Sequence, residues 1–415
     1  MTGNFEALRT GENPLEQMGR ISSRGKAFST CETEGKHGRM RRSHPPFLLP
    51  HMKFLFHILL LILIAAVAEA QELQRVWSSA TIEGVDYVNL REVCRRYGYS
   101  ALPPHRGMLA YGKQESARHS SQLRHNYRIF LRPGKQDFFV ENYRFILTYP
   151  VREANGQVYI SSVDFEKLVD PVLNPNLSKS KNFNTVVLDA GHGGHDHGAI
   201  SAYAREKDCN LALALKLRSK LMAKGFRVVM TRNGDFFLTL HQRVEIANRI
   251  PNAIFVSLHH NSTRGNASVA QGIETFTLAP HGTTSPFART RRTENLSGND
   301  QDSENIALAA AVHSHVMNGL THKNLPTPDR GIQRARFSVL CTIRCPAILF
   351  EGGFVTHPVE GRRISSSAYQ DLLAEYICNG IVRYRDTATG KLQNTKNQST
   401  SQGIRPSSTT QPNHK

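Results

Sequence analysis

The residues most suited to chemistry lie in "VVLDAGHGGHDHGA", positions 186–199, where three histidines and four glycines follow a short apolar run. A phosphate-cradling loop would end on Lys followed by Ser or Thr, and a dinucleotide loop would read Gly-x-Gly-x-x-Gly at a helix entrance. Neither pattern is present. Histidine is the commonest metal ligand, so the stretch reads as part of a metal site whose other members lie further along the chain.

The elements that must position those members follow from the hydrophobic pattern. Strand-like runs "TVVLD", "FRVVMTR", "AIFVSL", "GIETFTL" and "AILFEGGF" alternate with the helical runs "NLALALKLRSKLMAKG", "TLHQRVEIANRI", "ENIALAAAVHSHVMNGL" and "YQDLLAEYICNGIVRYR". This alternation predicts an α/β domain with a mainly parallel twisted sheet flanked by helices. In such a sheet, active residues gather beyond the carboxyl ends of the strands. The rule selects His192 after "VVLD", His259 after "AIFVSL", Glu351 after "AILF", and Glu206 at the helix entrance in "REKDCNLALAL". Two His and one Glu form a standard protein ligand set for catalytic zinc, with a fourth position for water. A second carboxylate beside that water supplies the proton acceptor that amide hydrolysis requires. Singly, each residue has a plainer reading: a loop histidine, a helix N-terminal charge favoured by the dipole for Glu206, a strand-end ion pair for Glu351. Their joint selection by one rule favours a site.

The blocks "VVLDAGHGGHDHGA", "EKDCNLALAL", "GFRVVMTRNGDFFLTLHQRVEIAN", "FVSLHHNS" and "AILFEGGFVTHP" resemble, in order, those of the zinc-dependent type 3 N-acetylmuramoyl-L-alanine amidases, over about residues 184–385. The resemblance implies Zn²⁺ held by His192, Glu206 and His259, with Glu351 as catalytic carboxylate. It also implies peptidoglycan (muropeptides) as substrate, cut at the amide between the lactyl group of N-acetylmuramic acid and L-Ala. Ala190 and His197 stand where the family commonly has Pro, and His260 where it has Ala. Adjacent strand residues point to opposite faces, so His260 competes with His259 for the ligand role instead of joining it. His195 and His197 are expected at the rim. Arg232 and Arg243 occupy family positions; meeting substrate carboxylates is one reading, and packing or pairing with Asp235 is the expected one. The segment before "SENIALAAAVHSHVM" is short and polar where cell-division members of the family insert an inhibitory helix, which argues against activator-dependent control. A zinc carboxypeptidase-like peptidase and a non-catalytic wall-binding adaptor are the rival readings. The adaptor's expected mark, loss of Glu206 or Glu351, is absent.

The rest of the chain concerns address and delivery. "MKFLFHILLLILIAAVAEAQE", from Met52, has a Lys53 n-region, an apolar run too short for a spanning helix, and Ala68-Glu69-Ala70, the pattern of a signal peptide over 52–70 cut after Ala70. Residues 1–51 lack a periodic apolar face and read as an upstream extension, with translation starting at Met52. Residues 1–70 hold nine Lys and Arg against six Asp and Glu, which leaves +15 of the net +18 on the exported chain. Such a surplus favours anionic partners, and export to the periplasm or cell envelope points to an acidic wall polymer, not nucleic acid. Of six cysteines, five follow the signal, an odd number that cannot all pair within one chain. Cys341 and Cys345 are candidates for a small disulfide, and the remainder for core thiols.

Residues 71–175 read as a smaller α+β domain with an internal echo. "GVDYVNLREVCRRYG" (84–98) and "GQVYISSVDFEKLVD" (156–170) each predict a strand leading into a helix, capped by Asn89 or by Ser161 or Ser162. "YRIFLRPGKQDFFVENYRFIL" between them predicts hairpin strands. The arrangement resembles the domain related to the amino-terminal domain of copper amine oxidases, without copper ligands. Polar residues 176–184 suit a linker, residues 185–385 form the catalytic domain, and the Ser/Thr/Gln/Asn/Lys bias of 386–415 predicts a disordered tail.

Overall fold

A computed structural model describes residues 77–113, 127–263, 269–284 and 294–390. The expected extension, signal segment and most of the expected tail lie outside them. No helix among the described residues is long and apolar enough to cross a membrane.

The amino-terminal strands are β1 (Ser79–Ile82), β2 (Val85–Asn89), β3 (Tyr99–His105), β4 (Met108–Lys113), β5 (Tyr127–Leu131), β6 (Asp137–Val140), β7 (Tyr143–Ile146), β8 (Arg152–Ala154) and β9 (Gln157–Ser161). The two echoing stretches behave as expected. Asn89 ends β2 and its side chain accepts from the backbone amides of Arg91 and Glu92, starting helix α1 (Leu90–Arg96). Ser161 ends β9 and caps the amide of Asp164 at the head of a helical stretch that runs to Leu173. The echo also has a spatial meaning, because β2 and β9 are antiparallel neighbours in a four-stranded sheet ordered β1-β2-β9-β8. Asn155 and Gly156, at φ 51° and 70°, make the two-residue turn that joins β8 to β9.

The carboxyl-terminal half supplies β10 (Thr185–Ala190), β11 (Arg227–Met230), β12 (Ala253–Asn261), β13 (Ile273–Leu278), β14 (Asp329–Ala335) and β15 (Ala347–Phe354). Its helices are α2 (Glu206–Ala223), α3 (Leu240–Asn248), α4 (Asp302–His322), α5 (Pro358–Ile364) and α6 (Ser367–Ala388). Strands β11, β10, β12 and β15 are parallel neighbours; β13 is antiparallel to β15 and parallel to β14. Every residue of β10 is buried, as befits a central strand covered on both faces. On one face Val186, Leu188, Ile254 and Ile348 pack with α2, α4 and α6 through Leu217, Val312 and Ile377. On the other, Val187, Phe255 and Leu349 pack with Val244 and Ala247 of α3. This two-period split of one sheet into two cores is the α/β architecture that the alternating pattern predicts.

The structure corrects the expected division of the chain in three places. The large sheet does not stop at β14: it runs β11-β10-β12-β15-β13-β14-β7-β6-β5-β4-β3, with Ile332 of β14 paired to Phe145 of β7. An unpaired β14 edge would leave a row of unsatisfied backbone groups, and β7 pairs with that edge at Ile332. The expected linker is packed, with Leu177, Ser180 and Phe183 buried and the Ser180 hydroxyl 2.5 Å from Tyr384 Oη. Its polar composition hides a contact every third residue. Finally, α6 continues through 386–388 into the expected tail, because Ala388 is itself buried.

Candidate metal and catalytic centre

The apolar strand β10 delivers the glycine-rich loop at its carboxyl end, and buried polar contacts fix the loop's course. Asp189, fully buried, accepts from Thr231 Oγ1 at 2.6 Å, Ser257 Oγ at 2.7 Å and Arg243 Nη1 at 2.7 Å. Arg243 also donates to the carbonyls of Ala190 and His192. Arg232, 1% exposed, donates to the carbonyls of Ala190, Gly191, Lys207 and Gly234. These arginines therefore hold the loop. The expected pairing with Asp235 is made by Lys207 instead, at 2.7 Å. A buried guanidinium requires acceptors all around it, and the loop's own carbonyls provide them.

Held this way, His192 adopts φ 62°, a left-handed conformation uncommon for a non-glycine residue. Its Nδ1 lies 2.8 Å from Asp196 Oδ2 and its Nε2 3.1 Å from Glu206 Oε1. Glu206, the first residue of α2, sits with the same oxygen 2.9 Å from His259 Nδ1 at the end of β12. The ring centroids of His192 and His259 are 5.0 Å apart, nearly perpendicular. Two glycines make this approach possible: a Cβ on Gly191 would fall 2.2 Å from His259 Cε1, and one on Gly198 2.6 Å from Glu206 Oε2 and His192 Cδ2.

One potential ligand atom from each of His192, Glu206 and His259 lies within 4.8 Å of the other two. Two imidazoles and a carboxylate at this spacing fit a divalent ion of the zinc type, and Asp196 behind His192 is the outer carboxylate that orients such a ring. Burial alone would lower the His192 pKa, yet the carboxylates of Glu206 and Asp196 raise it to about 9. Burial opposes ionisation of Glu206, but His192 and His259 hold it well below the usual carboxylate range.

Glu351 lies outside that three-residue cluster. On β15 it is in register with His259 of β12 and, on the other side, with Glu274 of β13. Its Oε2 is shut off from solvent and has no hydrogen-bond partner among the described residues. Burial first, then the charges of Glu206 and Glu274, push its pKa well above the carboxylate norm.

The spare histidines separate cleanly. His260 turns away from the cluster: it is buried, its Nδ1 is 2.8 Å from Asn210 Oδ1, and burial lowers its pKa to about 4. His195 is exposed and lies over the Phe237 ring at 4.3 Å between centroids, while His197 is half-buried. Cys94, Cys209, Cys345 and Cys378 are free thiols, so no Cys341–Cys345 disulfide forms. Sequence reasoning missed Glu274, 2% exposed, which accepts from Asn261 Nδ2, from Gln333 Nε2 at 2.6 Å and from Arg330 Nε at 3.0 Å. Its signal was a carboxylate inside the otherwise uncharged strand "GIETFTL", since buried Glu is rare unless paired.

A mixed α/β sheet carries, beyond its parallel strand ends, a histidine–glutamate cluster that could hold a metal ion. The N-acetylmuramoyl-L-alanine amidase family matches residues 186–383. N-acetylmuramoyl-L-alanine amidase AmiA of Escherichia coli (strain K12) is 31% identical over 233 residues, which is 51% of this chain and 79% of that protein. Protein YqiI of Bacillus subtilis (strain 168) is 34% identical over 203 residues, 49% of this chain and 85% of that one. Among solved structures, N-acetylmuramoyl-L-alanine amidase AmiC2 of Nostoc punctiforme is 33% identical, covering 48% of this chain and 96% of that chain with a TM-score of 0.40. The chain belongs to the type 3 N-acetylmuramoyl-L-alanine amidase family. It is a peptidoglycan hydrolase acting on the amide that joins N-acetylmuramic acid to L-alanine.

Proposed function

We propose that the amidase is zinc-dependent, with His192, Glu206 and His259 as ligands and Glu351 as the proton acceptor and donor. The observation that carries this reading is the division of labour in the geometry: three donor groups converge, while Glu351 stands beside them in register with its Oε2 unpartnered. Bound Zn²⁺ supplies Lewis acidity that polarises the scissile carbonyl and makes water a stronger nucleophile.

The chain's own residues account for the protons. Glu351 takes the proton of the attacking water as the oxygen bonds to the carbonyl carbon. The C–N bond then breaks as Glu351 returns the proton to the nitrogen of L-Ala, releasing the free amine and the lactyl carboxylic acid, whose remaining water proton passes to the amine to leave carboxylate and ammonium. Burial and the neighbouring Glu206 and Glu274 raise its proton affinity, which favours holding the proton once it is taken. Asp196 fixes the His192 ring, and Arg243 and Arg232 hold the loop that presents it.

The reading includes export after cleavage at Ala70 to the periplasm or cell envelope, supported by the segment 52–70. Mass spectrometry of purified sacculi digested with residues 71–415 tests substrate and bond together. Free stem peptides beginning with L-Ala, alongside intact glycan strands, are expected. Release of carboxyl-terminal amino acids alone would mark a peptidase, and wall binding without products an adaptor.

A further inference from the structure

One face of the large sheet can be followed away from the catalytic centre. Glu351 on β15 is in register with Glu274 on β13, and Glu274 with Gly331 on β14. The Ile332–Phe145 pairing sets Gly331 beside Arg144 of β7, where a Cβ on Gly331 would fall 2.9 Å from the Arg144 carbonyl oxygen. Arg144 pairs with Phe139 on β6, and Phe139 with Phe130 on β5. In-register neighbours share a sheet face, so His259, Glu351, Glu274, Arg144, Phe139 and Phe130 form one row. At roughly 4.8 Å per strand, Arg144 stands about 14 Å from Glu351.

The far part of the row opens into a cavity of about 600 Å³ whose lining includes Arg106, Arg132, Lys135, Asp137, Phe139 and Arg144. The opposite face of these strands is closed, with Ile129, Leu131, Phe138 and Phe145 in the core. On the cavity side Phe130, Phe139 and Arg144 stay half-buried. Asp137 neutralises Arg144 at 2.5 Å. Arg106, Arg132 and Lys135 are exposed and have no carboxylate partner among the described residues. The Arg132 guanidinium donates to the Arg106 carbonyl at 3.5 Å, which brings the β3–β4 and β5–β6 turns together and concentrates like charge at one rim. Between the cavity and the centre, Arg330 lies with Nε on Glu274 and its guanidinium over Phe354, 39% of its side chain exposed.

The geometry points to this cavity as a second contact region that holds carboxylate-bearing glycopeptide of the strand being cut. The half-buried Phe139 in its lining suits the apolar face of a sugar ring, and the cationic rim suits stem-peptide carboxylates, which Arg binds in a fork. The inference rests on the peptidoglycan amidase reading and adds a second contact region that the amino-terminal strands supply.

The test compares two substrates, polymeric peptidoglycan and a soluble muramoyl peptide too short to span both regions. The variant combines Arg106→Asn, which suits the φ of 49° at that turn, with Arg132→Gln and Lys135→Gln. Three surface charge contacts predict that the ratio of kcat/KM for polymer to kcat/KM for fragment falls about tenfold, and that the salt dependence of polymer binding flattens. Peptidoglycan with its carboxylates amidated should show the same loss with the unsubstituted protein. An unchanged ratio would overturn the proposal, as would retention that depends only on phosphate-bearing wall polymer. If the unsubstituted protein cuts neither substrate, the amidase reading fails; co-sedimentation with native and amidated walls then still decides whether the groove binds carboxylates.

Discussion

Two aspartate–arginine pairs lie along the large sheet, Asp189–Arg243 beneath the glycine-rich loop and Asp137–Arg144 near the basic cavity. Their N···O distances are alike, 2.7 and 2.5 Å. Their surroundings are not. The side chains of the first pair are 1% and 3% exposed and those of the second 33% and 34%. Arg243 and the hydroxyls of Thr231 and Ser257 hold Asp189 below the usual carboxylate range although burial opposes its ionisation. The catalytic half thus spends its charges on fixing backbone, under cover of two cores. Around the cavity, the amino-terminal strands leave Arg106, Arg132 and Lys135 where another molecule can reach them. The same residue types serve rigidity in one region and recognition in the other, and burial separates the roles.

The strongest way to break that contrast is at Glu351. Glu351→Gln keeps shape but removes the proton acceptor, so kcat should fall on the order of 10² to 10⁴ while elemental analysis finds the metal retained. A variant that loses its metal would make Glu351 a ligand; one that stays active would end its catalytic role.

The next effect is on stability. Asp189→Asn leaves a buried guanidinium without its counter-charge and should cost about 3–5 kcal/mol, whereas Asp137→Asn should cost about 0–1 kcal/mol. Urea unfolding of the two variants gives the comparison directly, and equal losses would contradict it.

Neighbouring histidines offer a finer division. His259→Ala should empty the metal site, and His260→Ala should keep it nearly full. The latter should still lose about 1–3 kcal/mol of stability, because Asn210 is left without its partner. Equal metal loss would show that His260 is the ligand.

The last test is a pH slope. With its pKa raised to about 9, His192 carries a proton that each ion must expel. Apparent Zn²⁺ affinity should therefore climb about tenfold per pH unit up to about pH 9 and level off above it. Competition titrations over that range measure the slope, and a flat profile would show that His192 is already neutral there.

Much of this molecule is legible in local sequence because local rules govern it. Period-two and period-3.6 patterns reveal β10, β12, α2 and α6, Asn89 and Ser161 announce two helix starts, and the rule of strand ends selects His192, Glu206, His259 and Glu351. The resemblance then assigned their roles. Alternation along a strand separates His259 from His260 before any coordinates are known.

What tertiary structure alone decided are the relations across strands and between distant segments. No pattern in "TLHQRVEIANRI" tells Arg243 that its partner is Asp189, and "GIETFTL" does not reveal that Glu274 will face Glu351. The pairing of β14 with β7 depends on which two strand edges remain open once each half has folded. Backbone hydrogen bonds are indifferent to side-chain identity, so strand composition does not encode that partner. Leu177, Ser180 and Phe183 looked like linker because composition averages over neighbours, while burial acts on single side chains. Sequence specified the elements and the candidate reacting groups; the packing of remote strands specified which charges are locked away and which remain exposed.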